Sequence, residues 1–237
     1  MTNQRSNQTN NNGPFLRQEF IPGRQIARIA LEQLTTCRLL PDSPGPIAVE
    51  KFCDRKWGVP EDYEAMETEV MGFTSFTHKG FDQIVINTAL GEDRSATGRR
   101  RMRSTLAHEI GHGILHENLY AEKLAFERAQ GELFAEMNPR AQSAIVCRNT
   151  DIFGEPNKSR WWEIQANKFM AAMLLPELLF LQVVVPALSD YHDANASPKE
   201  GVLRCIATVS DTFNVSQQMA RIAVENHLSK PKEEALF

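Results

Sequence analysis

The stretch STLAHEIGHGILH, residues 104–116, decides how the rest of the chain is read. On a helix, His108 and His112 fall about one turn apart on one face, close enough to share a metal, and Glu109 can reach a water held there. Leu106, Ala107, Ile110, Ile114 and Leu115 are woven around them. A helix so apolar is buried on most sides, and buried histidines need partners. Gly111 and Gly113 each cost such a helix about 1 kcal/mol relative to Ala, so a strand or a substrate is expected to approach closely there. Ser104 stands where an N-cap is expected, and the arginine run GRRRMR, residues 98–103, reads as a solvated entry to the helix.

A catalytic zinc takes three protein ligands and keeps one position for water. In a metzincin the pattern would continue with a glycine and a third histidine, but Leu115 and Asn118 stand in those places. The third ligand must therefore come from another element. Glu163 is the choice, because it opens the apolar helix WWEIQANKFMAAMLL, residues 161–175, which carries the carboxylate into the core. A carboxylate buried without a cation would be expensive. Asn167, one turn beyond Glu163, could accept the outer N–H of a zinc histidine, a reading held level with that of a surface or capping residue. His116, one turn beyond His112, either supports the site as an orienting or oxyanion-stabilising group or is a satisfied helix-end histidine, and the latter is favoured. In this scheme zinc lowers the pKa of water towards about 7 and polarises the scissile carbonyl, while Glu109 moves the proton to the leaving amine. Manganese or iron could load the same donors.

Outward from the motif, Ile26, Ile29, Ala30, Leu34 and Cys37 recur at helical spacing and predict a helix over residues 25–39 that stops at Pro41. A second helix is expected from Ile47. Gly72–Phe76 and Phe81–Asn87 read as strands around a turn at His78, Lys79 and Gly80, and their edge could hold an extended peptide. Phe126, Ala129, Leu133 and Met137 suggest an amphipathic helix over residues 118–137, followed by AIVC as a short strand. The apolar run from Phe169 to Leu188 contains Pro176, Glu177, Gln182 and Pro186, so it reads as two buried segments with a proline break and not as a membrane span. Residues 202–228 read as two helices joined at Phe213–Ser216.

Composition narrows the class. The chain has 237 residues, 42% hydrophobic and 24% charged, enough for a real core. A net charge of −4 gives no global reason to expect nucleic acid or an acidic membrane as partner. Cys37, Cys53, Cys147 and Cys205 form no C-x-x-C pair and read as free, buried thiols. The first thirteen residues are polar, Asn-rich and without the apolar core of a secretory signal, so a disordered tail and a cytoplasmic location are expected.

The order of a helix, a small sheet ending in IVIN, an arginine-bearing entry, STLAHEIGHGILH and then EIQANKFMAAMLLP resembles the ImmA/IrrE metallopeptidase family over about residues 20–230. The resemblance implies an α+β, zincin-like fold with helices packed on a small sheet. It divides the chain into a polar tail (1–13), a metallopeptidase domain (14–188) and a C-terminal helix-turn-helix-like helical region (197–230). It implies Zn2+ on His108, His112 and Glu163, with Glu109 as general base, and cleavage of a helix-turn-helix repressor that switches on stress or mobile-element genes. Two departures stand out: about fifty residues separate His112 from Glu163, with residues 118–137 as the inserted part, and Phe169-Met170 replaces the more usual Phe-Ala. The alternative is a DNA-binding or protein-sequestering regulator of toxin–antitoxin type with a structural or vestigial metal. Residues 197–237 hold five Lys/Arg and five Asp/Glu, a poor electrostatic footprint for DNA.

Overall fold

The fold is seen in a computed structural model that describes residues 13–129, 144–153, 160–193 and 198–229. Nearly all of the polar tail expected at residues 1–13 lies outside the described residues. Helix α1 (Gly23–Thr36) turns Ile26, Ala30 and Leu34 fully inward. It stops short of the expected Leu39 because Arg38 adopts φ 55°, and the Leu39 N–H returns to the Leu34 carbonyl at 2.8 Å, closing the helix before Pro41 can. The helix expected from Ile47 is a single 3-10 turn (Val49–Lys51) running into α2 (Phe52–Trp57), which ends on Gly58 at φ 70°.

Four strands follow: β1 (Asp62–Glu64), β2 (Val70–Thr77), β3 (Gly80–Asn87) and β4 (Ala144–Arg148). The order across the sheet is β1-β3-β2-β4, with β1 parallel to β3 and β2 antiparallel to both β3 and β4. The hairpin turns at Gly80, whose φ of 117° few other residues adopt. Both strands of the expected hairpin are thus interior. Among the described residues the sheet edges are β1 and β4, because AIVC returns from beyond the motif helix to cover β2.

After α3 (Thr88–Glu92) comes the motif helix α4 (Ala96–Leu115). Its N-cap is Ser95, whose hydroxyl accepts the Gly98 N–H at 2.9 Å, and not Ser104, which lies buried inside the helix. The arginine run is therefore helix interior. It is anchored as well: Arg103 is buried, pairs with Glu50 at 2.5 Å and donates to the Ile47 carbonyl at 2.7 Å. Helix α5 (Glu117–Ala129) buries Leu119 and Tyr120 but leaves Phe126 51% exposed, against its predicted role on the apolar face. Leu133 and Met137 of that prediction lie outside the described residues.

The remaining helices are α6 (Asn149–Phe153), α7 (Trp161–Leu174), α8 (Glu177–Asp193), α9 (Pro198–Phe213) and α10 (Gln217–Ser229). The chain bends by 67° between α7 and α8, at the break expected at Pro176, and among the described residues no single helix is long and apolar enough to cross a membrane. Asn214, at φ 51°, closes α9 at the expected turn. Arg100 of α4 reaches that turn, pairing with Asp211 at 2.9 Å and donating to the Asn214 side chain at 3.2 Å. One apolar cluster joins Ile26, Ile86, Ile110, Phe169, Val209 and Val224, so α1, the sheet, α4, α7 and the C-terminal helices share a core.

The glycines of α4 admit close neighbours, one of them a helix where a strand or substrate was expected. A Cβ at Gly111 would lie 3.2 Å from the Ala166 backbone and from the Phe169 side chain on α7. A Cβ at Gly113 would meet the rings of Trp57 and Phe81, which stack at 3.7 Å. Gly111→Ala should gain about 1 kcal/mol of helix propensity and lose about 1–3 to overpacking, since backbone cannot step aside. A net destabilisation of about 1 kcal/mol, read from chemical denaturation, is expected.

Candidate metal centre

Helix α4 presents His108, Glu109, His112 and His116, none of them exposed at all. The Nε2 atoms of His108 and His112 lie 3.0 Å apart, as the i, i+4 spacing requires. Because Gly111 lets α7 pack against α4, Glu163 in the first turn of α7 brings its Oε2 to 3.0 Å from His108 Nε2 and 3.3 Å from His112 Nε2. One donor atom from each of the three lies within 4.8 Å of the others.

The surrounding hydrogen bonds fix the protons. Asn167 donates its Nδ2 to the Asp151 carbonyl at 2.7 Å, so its Oδ1 faces His108 Nδ1 at 3.0 Å and accepts from it. His108 Nε2 then carries a lone pair. Gln165 likewise spends its amide Nε2 on the Glu19 carbonyl at 2.7 Å, leaving Oε1 to accept from His116 Nε2 at 3.0 Å. His116 Nδ1 is thereby an acceptor, 3.0 Å from His112 Nδ1, so the His112 proton sits there and its Nε2 is also bare. Two lone pairs and a carboxylate oxygen converge with no proton between them. Such a pocket demands a proton or a cation, and a tetrahedral divalent ion that prefers nitrogen and oxygen fits the donor set.

The charges agree. Burial resists ionisation of Glu163, yet the two imidazoles hold its carboxyl far below the ordinary range. Burial depresses His112, and it pushes His116 down to about 3, so His116 stays neutral. In His108 burial also opposes charge, but Glu163 overrides it and raises the imidazole.

Glu109 lies on the sheet side of His108. The Thr74 hydroxyl on β2 donates to its Oε2 at 2.6 Å, while Oε1 is buried with no hydrogen-bond partner among the described residues. Burial raises this carboxyl to about 7, which suits a base working near neutrality. The Cys147 thiol, on β4, forms a second cluster with His108 and Glu109 and is pushed well up by burial and by Glu109, so it lines the site as a neutral thiol. All four cysteines are free and buried.

The structure thus brings His108, His112 and Glu163 together, sets Asn167 behind His108 and sets His116 behind His112. His116 has both ring nitrogens engaged, one on Gln165 and one on His112, so it is a satisfied helix-end histidine that also contacts the motif histidine. Sequence reasoning missed Thr74, Cys147, Asp151, Arg160 and Gln165. A polar Thr74 on a core-facing strand position was a usable signal; Asp151 gave none, because its neighbours arrive from other elements.

The model of the peptidase family described as the IrrE N-terminal-like domain matches residues 61–225, well over half of the chain and including α4 and α7. No curated protein matches it.

Raising Glu109 from 4.5 to about 7 means the metal-free fold favours the neutral carboxyl, a contribution of about 3 kcal/mol that is full below pH 4.5 and lost as pH rises to 7. Gln mimics the neutral form. Metal-free Glu109→Gln should therefore melt above wild type, by little at pH 5 and most above pH 7, in thermal scans across that range.

Proposed function

The chain belongs to the IrrE N-terminal-like domain family of peptidases, and from that premise we propose that it is a zinc-dependent endopeptidase. His108, His112 and Glu163 hold the ion, and Glu109 is the general base. The observation that carries this reading is the convergence of three proton-free donors beside an unpaired carboxylate oxygen, Glu109 Oε1. Zinc, when bound there, supplies Lewis acidity that lowers the pKa of water and polarises a carbonyl. The chain's own residues do the rest. Glu109, held through Oε2 by Thr74, receives the proton of the attacking water on Oε1 and passes it to the leaving amine. The edge strand β4 offers main-chain hydrogen bonds to an extended peptide.

The substrate we propose is a helix-turn-helix transcriptional repressor, whose cleavage in the cytoplasm releases stress or mobile-element genes. The family resemblance supports this choice; the site geometry supports only the chemistry.

The test starts with metal content by plasma mass spectrometry, on wild type and Glu163→Ala prepared without chelator. About one zinc per wild-type chain and less in the variant are expected. Wild type should then cut the repressor encoded beside it at a discrete position, and Glu109→Gln should keep its zinc yet cut at least about a hundredfold more slowly. A repressor left intact with zinc, manganese and iron would remove that substrate. A wild type that binds no metal after reconstitution would remove the peptidase.

A further inference from the structure

Glu163 has two oxygens, and the structure treats them differently. Oε2 faces the two histidines, while Oε1 accepts from Arg160 Nη2 at 2.9 Å. Arg160, just ahead of α7, also pairs through Nη1 with Asp151 Oδ1. Asp151 is the hub. Its other oxygen accepts the Arg148 N–H at 2.8 Å, which anchors α6 to the end of β4, and its carbonyl accepts Asn167 Nδ2 at 2.7 Å. Asn167 in turn fixes the proton on His108 Nδ1. Two of the three candidate ligands are therefore steered through one residue of α6.

We infer that Asp151 and Arg160 are positioning residues for the metal: Arg160 restricts Glu163 to one ligating oxygen, and Asp151 holds both Arg160 and Asn167 in place. The inference rests on the metal site proposed above. A guanidinium bound to Glu163 withholds Oε1, and a carboxylate that cannot chelate leaves a coordination position open for water and substrate. A bare guanidinium next to a divalent cation repels it, and Asp151, 7% exposed, supplies the compensating charge from the far side. A pair that merely braced the α6–α7 join would stabilise the fold equally with and without metal.

The two variants therefore behave differently. Asp151→Asn leaves Arg160 uncompensated beside the metal while keeping the backbone carbonyl that holds Asn167, so zinc affinity, read by competition with a chromophoric chelator, should fall about 10–100-fold. Arg160→Ala frees Oε1 to bind as well. Its Co2+-loaded form should show weaker d–d absorption than wild type, the mark of a higher coordination number. Both variants should lose more melting temperature in the metal-loaded form than in the metal-free form. Unchanged zinc affinity in Asp151→Asn together with an unchanged cobalt spectrum in Arg160→Ala would overturn the inference. So would equal losses of melting temperature in the metal-free and metal-loaded forms. A wild type that takes up neither ion would overturn the metal site itself, a result distinct from either.

Discussion

Everything in this molecule is arranged around three electron pairs that point at one another without a proton between them. His108 Nε2, His112 Nε2 and Glu163 Oε2 meet within 3.0–3.3 Å, and each is held in that state by a hydrogen bond on its far side or an ion pair on its other oxygen. Left alone, such a cluster repels itself. The fold tolerates it because two helices meet over Gly111 and many apolar contacts enforce the crossing. A cation held there would relieve the repulsion, and its binding would then add to the stability of the fold.

The same burial sets the acid–base character of the site. With no exposure at His108, Glu109 and His112, each charge must be answered locally. Glu163 is answered by the imidazoles and Arg160. Glu109 is answered by the Thr74 hydroxyl at only one of its two oxygens, and its carboxyl rises to about 7. One carboxyl is pushed up and the other down within one small volume. That separation of roles follows from which element each rides on: Glu109 points at the sheet, Glu163 at the histidine pair.

How much of this could be read from the sequence depended on how local each constraint was. The spacing of His108 and His112 is a property of one helix, and the apolar run after Glu163 announces a buried carboxylate on another. The hairpin of β2 and β3 was legible from its β-branched runs and its glycine turn. The start of α4 was not, because an arginine run reads as exposed until Glu50 and the Ile47 carbonyl are found opposite Arg103. The sheet edge was not legible for the same reason: only the pairing of β4 with β2, some seventy residues apart, reveals which strand lies outside. Asp151 is the extreme case, since Arg148 reaches it from β4 and Arg160 and Asn167 from the start and the body of α7.

The segment from Ala144 to Glu163 gives the site its remaining logic. Its first part is the edge strand β4, whose Cys147 pairs with Gly72 and turns its thiol toward Glu109. The segment then enters α6, where Asp151 takes the Arg148 N–H, and later reaches Arg160 and Glu163. The edge strand β4 and the candidate metal ligand Glu163 are thus tied through one carboxylate. A shift of β4 by one residue would turn Cys147 to the opposite face and break the Arg148–Asp151 bond. The register of this short strand is therefore coupled to how Arg160 and Glu163 are held.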